Sequence, residues 1–334
     1  MINLTKKTKS ILIVVFLSII TVIFFSYPIK AGEVKKLTIL YTNDLHTHLL
    51  PFDLKELKNR GGIISLTSLI SEIREKNGNV LLLDAGDFLQ DYYDIPTSLL
   101  KGKPMIEWMN KIGYDAVVLG NHEFYYGPQG LANRLKEINF PLLSANISSI
   151  NKVNPYIIKE ANGVRVGIVG LTTLHYIPFQ RFLNLKFFNP ILTAKKYVKL
   201  LAPQVDILIF LNHLGIDVDK YLAKKVSGID IIIGGHSHTK IDKPIKINNT
   251  YIVQAFKWGA YLGKIEIEID KNKEGKYSFS QIKHNLIPVL NDIKSDEKNS
   301  LLGKNYQKKI NKKIPSVGGF AGFLIIVALA LFGG

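Results

Sequence analysis

The sequence predicts a single α/β domain, and three features of its 334 residues support this prediction. Short apolar runs suited to buried strands alternate with amphipathic segments of helical length. After Thr250 the pattern changes to one strand after another, as in the alternating segment Ile265–Ile269. His, Asp and Asn residues follow directly after several of the strand-like runs. These features predict a mostly central sheet, an antiparallel end and a ligand site outside the carboxyl ends of the strands.

The strand predictions rest on short runs that are mostly apolar and rich in Val and Ile. They lie at Leu37–Tyr41, Val80–Leu83, Ala116–Leu119, Val164–Val169, Ile207–Leu211 and Ile229–Ile233. The helix predictions rest on longer amphipathic segments between several of these runs. They lie at Ile63–Lys76, Pro104–Ile112, Pro128–Ile138, Leu192–Leu201 and Val218–Val226. Neither an internal repeat nor a low-complexity block interrupts this alternation.

The composition excludes several classes of protein. With no cysteine, the chain can form no disulfide, thiolate metal site or thiol nucleophile, so any metal must be held by His, Asp, Glu, Asn or Gln. The 43 Lys and Arg against 27 Asp and Glu give a net charge of +16, but a large part of this excess lies in residues 1–31 and 293–316. Residues 32–292 carry only +7, and we therefore expect no nucleic-acid partner.

The N-terminal residues 1–31 have the layout of a secretory signal. Three lysines precede the apolar run Ile11–Phe25, which is shorter than the roughly 20 residues of a membrane-spanning helix. We expect this segment to be cleaved and the protein to be exported, to the periplasm or the cell surface. An uncleaved N-terminal anchor is the alternative.

The C-terminal residues 317–334 contain no charged residue and no apolar periodicity. Apolar side chains on every face favour a membrane tail over a buried terminal helix. The lysine-rich residues 293–316 are interpreted as a linker, whose lysines would attract anionic lipid head groups. We therefore expect a membrane-tethered domain at residues 32–292.

Seven side chains at the predicted strand ends can bind a metal ion. They are Asp44, His46, Asp87, Asn121, His213, His236 and His238. Oxygen and imidazole ligands without thiolate suit divalent Mn, Zn, Fe or Co better than Ca or Cu(I). Seven ligands exceed the needs of one transition-metal ion, so we expect two ions that share a carboxylate. Two such ions can clamp a phosphoryl group and lower the pKa of a water between them, which predicts metal-assisted hydrolysis of a phosphoester.

Five motifs occur in a specific order: Asp-x-His, Gly-Asp, Gly-Asn-His-Glu, Asn-His and Gly-His-x-His. In this order they resemble the signature of the calcineurin-like metallophosphoesterases. Two longer segments are similar to the corresponding motifs of the 5′-nucleotidase branch of that family. They are Leu-Tyr-Thr-Asn-Asp-Leu-His at 40–46 and Gly-Asn-His-Glu-Phe at 120–124. The resemblance extends over about residues 37–270. It makes 32–292 the predicted metallophosphoesterase catalytic domain.

The resemblance implies a four-layer α/β/β/α fold of two facing sheets flanked by helices, and it assigns roles by position. One ion would be held by Asp44, His46, Asp87 and His238. The other would be held by Asp87, Asn121, His213 and His236, with Asp87 bridging the two ions. Asn121 and His122 would contact the substrate phosphate, and His122 would assist the leaving group. Glu123 is interpreted as a brace for its loop, and His48, His175 and His284 as structural.

Two departures from the family pattern bear on the substrate. The nucleotidase branch has an Asp that orients the catalytic histidine, and this chain has Tyr125 at that position. A tyrosine hydroxyl brings no charge to stabilise an imidazolium. In addition, the family members that bind nucleosides well use a separate aromatic domain, whereas residues 293–334 are interpreted as linker and tail. The resemblance thus implies phosphatase chemistry more firmly than nucleotide specificity.

The sequence therefore predicts an exported, membrane-tethered hydrolase of nucleotides or related small phosphate compounds, with no obligate protein partner. Two alternatives remain open at this point. The first is a catalytically weakened, metal-bearing surface module that binds a ligand, which Tyr125 would favour. The second is an enzyme that resembles the thiosulfohydrolases of sulfur oxidation, which share the signature but act on a sulfur-linked substrate.

Overall fold

The structure is a computed structural model that describes residues 34–55, 57–89, 101–148, 150–173, 175, 185–271 and 277–291. The predicted signal segment (1–31), linker (293–316) and membrane tail (317–334) lie outside the described residues. Within the described ranges, no helix combines the length and the apolar character needed to cross a bilayer.

The secondary structure follows the predicted alternation, with additional short strands. The described strands are Lys35–Thr42 (β1), Pro51–Leu54 (β2), Leu57–Gly61 (β3), Val80–Asp84 (β4), Ala116–Val118 (β5), Leu142–Leu143 (β6), Val153–Asn154 (β7), Tyr156–Ala161 (β8), Val164–Thr172 (β9), Ile207–His213 (β10), Ile231–Gly234 (β11), Ile245–Ile247 (β12), Thr250–Val253 (β13), Tyr261–Lys271 (β14) and Tyr277–Pro288 (β15). The described α-helices are Ile63–Asn77 (α1), Lys103–Ile112 (α2), Gly127–Glu137 (α3), Pro190–Leu201 (α4) and Ile216–Lys225 (α5). A 3₁₀ turn covers His122–Phe124.

The first sheet has seven strands in the order β15-β14-β1-β4-β5-β6-β7. Strands β1, β4, β5, β6 and β7 run parallel, and β14 and β15 complete the sheet in antiparallel fashion. The register pairs Thr42 at the end of β1 with Asp84 at the end of β4. Because these two strands end at the same level, the loops that follow them leave the sheet side by side.

The second sheet has six strands in the order β12-β13-β11-β10-β9-β8. Strand β10 lies between β9 and β11 and runs parallel to both. Its register pairs His213 with Thr172 of β9 and Asn212 with Gly234 of β11. The carboxyl ends of β10 and β11 therefore also meet at one edge of their sheet.

Three apolar clusters show that the two sheets face each other inside helical layers. The central cluster joins inward side chains of both sheets, such as Leu37 and Ile39 of β1 and Ile209 and Leu211 of β10. A second cluster lies between the first sheet and helices α1, α2 and α3. A third lies between the second sheet and helices α4 and α5. Strands buried on both faces read as continuous apolar runs, which explains why they were recognisable in the sequence.

The four-layer α/β/β/α architecture is confirmed, and so are the antiparallel strands near the end of the domain. The interpretation as one mostly central sheet, drawn from the pattern of runs alone, is wrong, because the strands divide between two sheets. Every predicted helix is present, with ends that differ by two residues or fewer. Helix α4 begins where the side chain of Asn189 accepts hydrogen bonds from the backbone of Ile191 and Leu192, at 2.9 and 3.1 Å.

Candidate metal centre

The loops after β1 and β4 are fastened to each other by backbone hydrogen bonds. The amide of Asp44 donates to the carbonyl of Gly86, and the amide of His46 donates to the carbonyl of Asp87, both at 2.9 Å. The amide of Thr47 donates to Phe88 at 3.0 Å. This pairing continues beyond the sheet itself and places the Asp44 and Asp87 carboxylates beside each other in the protein interior.

The first group of predicted ligands converges as the sequence motifs suggest. Asp44, His46 and His238 each offer one ligand atom, and these atoms all lie within 4.8 Å of one another. The Nε2 atoms of His46 and His238 face each other at 3.0 Å, and His238 Nε2 lies 3.5 Å from Asp44 Oδ1. The backbone amide of His236 donates to both Asp44 oxygens at 3.1 Å, so the second sheet also contacts this carboxylate.

The second group gathers around Asp87. Asp87, His213 and His236 also offer ligand atoms within 4.8 Å of one another. The Nε2 atom of His213 lies 2.9 Å from Asp87 Oδ2, and the Nδ1 atom of His236 lies 3.0 Å from Asn121 Oδ1. Asp87 therefore lies between the two groups, with His46 Nε2 at 3.9 Å from its Oδ2 on the other side.

His122 lies at the edge of this cluster. Its Nε2 is 3.9 Å from Asp87 Oδ2, and its backbone amide donates to Asp87 Oδ1 at 2.8 Å. The three side chains of His46, Asp87 and His122 also form a group that could hold an ion. The side chain of His122 is 19% exposed, whereas that of His213 is fully buried. The geometry is compatible with His122 as a ligand or as a contact to the substrate.

The backbone at this centre is strained. Five of the seven predicted ligands have a positive φ between 47° and 74°: Asp44, His46, Asp87, His236 and His238. Such a conformation costs a residue other than glycine on the order of 1–3 kcal/mol and clusters at functional sites in proteins. The packing of the two sheets must therefore compensate for several kcal/mol of local strain at this one edge.

Two glycines allow the loops to approach this closely. A Cβ atom at Gly120 would overlap the carboxylate of Asp87, so a larger residue there would displace the central ligand. Gly86 has a φ of +87°, and a Cβ atom at this position would lie 2.8 Å from the Nδ1 atom of His213. These glycines are part of the motifs because they leave room for the ligands beside them.

Electrostatics at the centre couple the carboxylates to the imidazoles. Burial alone would raise the pKa of Asp87. The positive charges of His213, His122 and His46 have the larger effect and hold this pKa well below its usual range. Burial alone would lower the pKa of His213, but the negative charge of Asp87 has the larger effect and raises this pKa to about 10. Burial lowers the pKa of His46 to about 4 and that of His236 to about 4. The imidazoles of His46 and His236 are thus neutral near pH 7 and able to bind a metal.

The residues present fit divalent transition-metal ions. The Nδ1 atom of His213 lies 2.7 Å from the carbonyl oxygen of Ala85, which can only accept a hydrogen bond. Donation from Nδ1 leaves Nε2 as the ligand atom. That Nε2 atom is buried and lies 2.9 Å from Asp87 Oδ2. A shared cation would satisfy both groups.

Glu123 braces the loops that carry the ligands, as its place in the motif suggested. Its carboxylate accepts hydrogen bonds from the backbone amides of Gly120, Asp87 and Leu89, at 2.6, 3.2 and 3.0 Å. It is 1% exposed, and burial together with the charge of Asp87 raises its pKa to about 8. The residue thus ties the loop after β4 to the loop after β5.

Two supporting residues were not predicted from the motifs. The side-chain amide of Asn43 donates to Asp44 Oδ2 at 2.6 Å, and its oxygen accepts from the amide of Ala255 at 2.8 Å. Asp219 of α5 is buried and accepts from the side chain of Asn212 at 2.8 Å. Asn43 stands beside a motif residue and could have been considered, whereas nothing in the sequence distinguishes Asp219 from an exposed helical acid.

The remaining histidines lie outside the two groups of ligands. His48 stacks on Trp258, with ring centroids 4.3 Å apart and an interplanar angle of 13°. The Nε2 atom of His284 lies 2.7 Å from the hydroxyl oxygen of Tyr41. The backbone amide of His175 donates to the hydroxyl of Thr173 at 3.2 Å. A structural role for all three stays a prediction from the sequence.

Comparisons with known proteins identify the family. The family model described as Calcineurin-like phosphoesterase matches residues 37–240. The 5′-nucleotidase of Bos taurus is 38% identical over 272 residues, which cover 71% of this chain and 47% of that protein.

Two solved structures share the fold and are more than 25% identical to this chain in sequence. The calcineurin-like phosphoesterase YfkN from Bacillus subtilis is 26% identical with a TM-score of 0.70, over 84% of this chain and 99% of that one. The 5′-nucleotidase precursor from Thermus thermophilus is 28% identical with a TM-score of 0.69, over 83% of this chain and 58% of that one. The chain spans about half the length of the curated relatives it matches.

Replacing Glu123 by alanine should destabilise the domain, because three buried backbone amides would lose their acceptor. We expect the free energy of unfolding to fall by about 3 kcal/mol, measured by urea denaturation of the metal-free chain. Glu123→Gln keeps one acceptor oxygen and should cost less. The control is Glu75→Ala, at an exposed position of α1. Equal losses for Glu123→Ala and Glu75→Ala would contradict the bracing role.

Proposed function

The chain belongs to the calcineurin-like phosphoesterase family, and on this premise we propose that it hydrolyses small phosphoesters with two divalent transition-metal ions, Mn, Zn, Fe or Co. The observation that carries the proposal is the convergence of two ligand groups on Asp87. One group contains Asp44, His46 and His238, and the other contains Asp87, His213 and His236. A single site would not require a carboxylate between two sets of imidazoles.

Each group would hold one ion, with Asp87 shared and Asn121 completing the second group. Bound divalent ions would supply the polarisation of the phosphoryl oxygens and the activation of the attacking water. The protein's own contribution is to hold the carboxylates and imidazoles in place before substrate arrives, through Glu123 and the paired loops. Most of these side chains are buried, whereas those of His122 and His238 are 19% and 33% exposed.

His122 is the proposed acid that assists the leaving group. Its ring lies edge-on to His46 with centroids 4.5 Å apart, and Tyr125 packs against it with centroids 4.4 Å apart. The Tyr125 hydroxyl interacts with the side chain of Asn121, and burial together with the charge of Asp87 raises its pKa above the ordinary value. Tyr125 thus positions the His122 ring by contact but contributes no negative charge to its protonated form.

Nucleotides are the proposed substrate class, since the curated relative from Bos taurus is a 5′-nucleotidase. The match covers about half of that relative. The proposal therefore concerns hydrolysis of the phosphoester more directly than recognition of the nucleotide base. The binding-module alternative is less well supported, because all seven predicted ligands are brought to one edge of the sheets. The thiosulfohydrolase alternative is not supported by the 5′-nucleotidase relatives.

We further propose that the protein is exported and held at a membrane by residues 317–334. This tail lies outside the described residues, so its sequence is the support for the proposal. The test is cell fractionation of the full-length chain and of a chain lacking residues 317–334. The truncated chain should appear in the soluble extracytoplasmic fraction. If it stays with the membranes even after a wash with about 1 M salt, which weakens electrostatic surface binding, the N-terminal segment is the anchor instead.

Asp87→Asn should abolish most of the activity, because the amide keeps the shape of the carboxylate and loses the charge shared by both ions. Hydrolysis of p-nitrophenyl phosphate with added Mn²⁺ should slow by at least about 100-fold, or roughly 2.7 kcal/mol of activation free energy. Elemental analysis should find two ions per wild-type chain and fewer in the variant. The control is Asp217→Asn, whose side chain is 96% exposed. Wild-type turnover and metal content in Asp87→Asn would refute the bridging role.

Tyr125→Asp should raise the rate on nucleoside monophosphates by about tenfold, because a nearby carboxylate would favour the imidazolium of His122. The rate on p-nitrophenyl phosphate should change little, since its leaving group needs no proton. His122→Asn in the same background should remove the gain. The matched control is Tyr125→Phe, which keeps the ring contact and loses the hydroxyl. A Tyr125→Asp variant no faster than wild type on any substrate would show that Tyr125 or another group already fills this role.

A further inference from the structure

The outer face of the helical layer on the second sheet carries an unusual share of exposed apolar side chains. Among the described residues, seven large hydrophobic side chains are exposed. Four of them belong to this layer or its border: Phe188, Leu192, Leu200 and Tyr221. Leu192 is the most exposed of the seven, at 66%. We call these four residues, together with the exposed lysines of α4, the α4–α5 face.

The same face is cationic. Lys195, Lys196 and Lys199 of α4 are exposed, and this helix contains no acidic residue. Helix α5 ends in Lys224 and Lys225, which are also exposed. On a helix, residues seven positions apart lie on the same side, so Leu192 and Lys199 share one face with Lys195 and Lys196 between them. One exposed leucine and three exposed lysines of α4 therefore lie on one surface.

An open groove of about 560 Å³ lies beside this surface. Phe188, Leu192 and Lys196 belong to its wall. Ile147 and Ile150, from the region between β6 and β7, also line it. A groove with apolar walls and a lysine in its lining suits a molecule with an apolar chain and an anionic head.

We propose that the α4–α5 face docks on an anionic lipid bilayer. Lysines attract anionic head groups within about a Debye length of the surface, while single large apolar side chains enter the boundary between head groups and acyl chains. Long lysine stems allow both contacts at once, because they lie along apolar surface and keep the charge in water. Scattered apolar side chains beside the lysines of α4, a helix without acidic residues, suit a fluid anionic surface better than a fixed protein partner.

This docking leaves the metal centre accessible. The seven predicted ligands lie at or after the carboxyl ends of strands in the two sheets, and none of them belongs to α4 or α5. The helical layer covers a face of the second sheet instead. The residues of the α4–α5 face take no part in the proposed hydrolytic mechanism, so either proposal can fail without the other.

The absence of cysteine from the chain permits a direct test. The full-length chain with Leu192→Cys carries an environment-sensitive NBD fluorophore at that position. It is reconstituted by detergent removal with vesicles of phosphatidylcholine, either pure or mixed with an equal amount of phosphatidylglycerol. The matched control is Glu75→Cys, which is exposed on α1 at the outer face of the first sheet. The label reports contact of its own face with lipid, so a separate membrane anchor does not by itself give a signal.

With the anionic vesicles, fluorescence at position 192 should rise by about twofold or more, as the label enters the outermost 5–10 Å of the bilayer. The Glu75→Cys label should not respond. Replacing Lys195, Lys196 and Lys199 together by glutamine should remove the response at position 192, whereas replacing all three by arginine should preserve it. About 1 M salt should weaken the response, because the Debye length falls to about 3 Å.

Several results would overturn the proposal. They are no response at position 192 with anionic vesicles, an equal response with pure phosphatidylcholine, or an equal response from the Glu75→Cys label. A response to soluble polyglutamate but not to vesicles would assign the face to an acidic protein partner and would also overturn it. Loss of the response in the arginine variant would show that the lysine charge is not the cause.

Discussion

Two buried carboxylates set the main constraint on this structure. Asp44 is fully buried, Asp87 is 2% exposed, and His46 Nε2 lies 3.9 Å from an oxygen of each. Ionised carboxylates in a protein interior are stable only when they are paired, hydrogen-bonded or bound to a cation. The surrounding imidazoles and backbone amides meet part of this demand. A bound cation would meet the remaining need for positive charge. This need is why the ligands, the glycines beside them and the strained loops occur together at one edge of the sheets.

The two sheets satisfy this constraint by bringing strand ends together from opposite sides. Within the first sheet, the parallel register places Asp44 and Asp87 in neighbouring loops that share backbone hydrogen bonds. Within the second, the register of β10 and β11 places His213 near His236. The amide of His236 then reaches across to the Asp44 carboxylate. Removing either sheet would therefore leave each carboxylate with only part of its partners.

Much of this arrangement was predictable, because the chemistry lies in short motifs at the ends of strongly apolar strands. Strands such as Ile207–His213 are buried on both faces and stand out as apolar runs. Periodicity does not show which strands pair, so the division into two sheets came only from the family resemblance. The two-residue strand Leu142–Leu143 is too short to give any pattern. The roles of Asn43 and Asp219 depend on contacts between segments distant in sequence, which spacing within a motif cannot show.

The fold holds several ligands of the proposed centre in strained backbone conformations. Residues at positive φ normally relax unless their surroundings hold them, and here Glu123 and the paired loops hold Asp87 in that conformation. Asp87 raises the pKa of His213 to about 10, so a proton shared with Asp87 can occupy this position in the metal-free protein. A cation that binds there must displace that proton, which makes binding depend on pH.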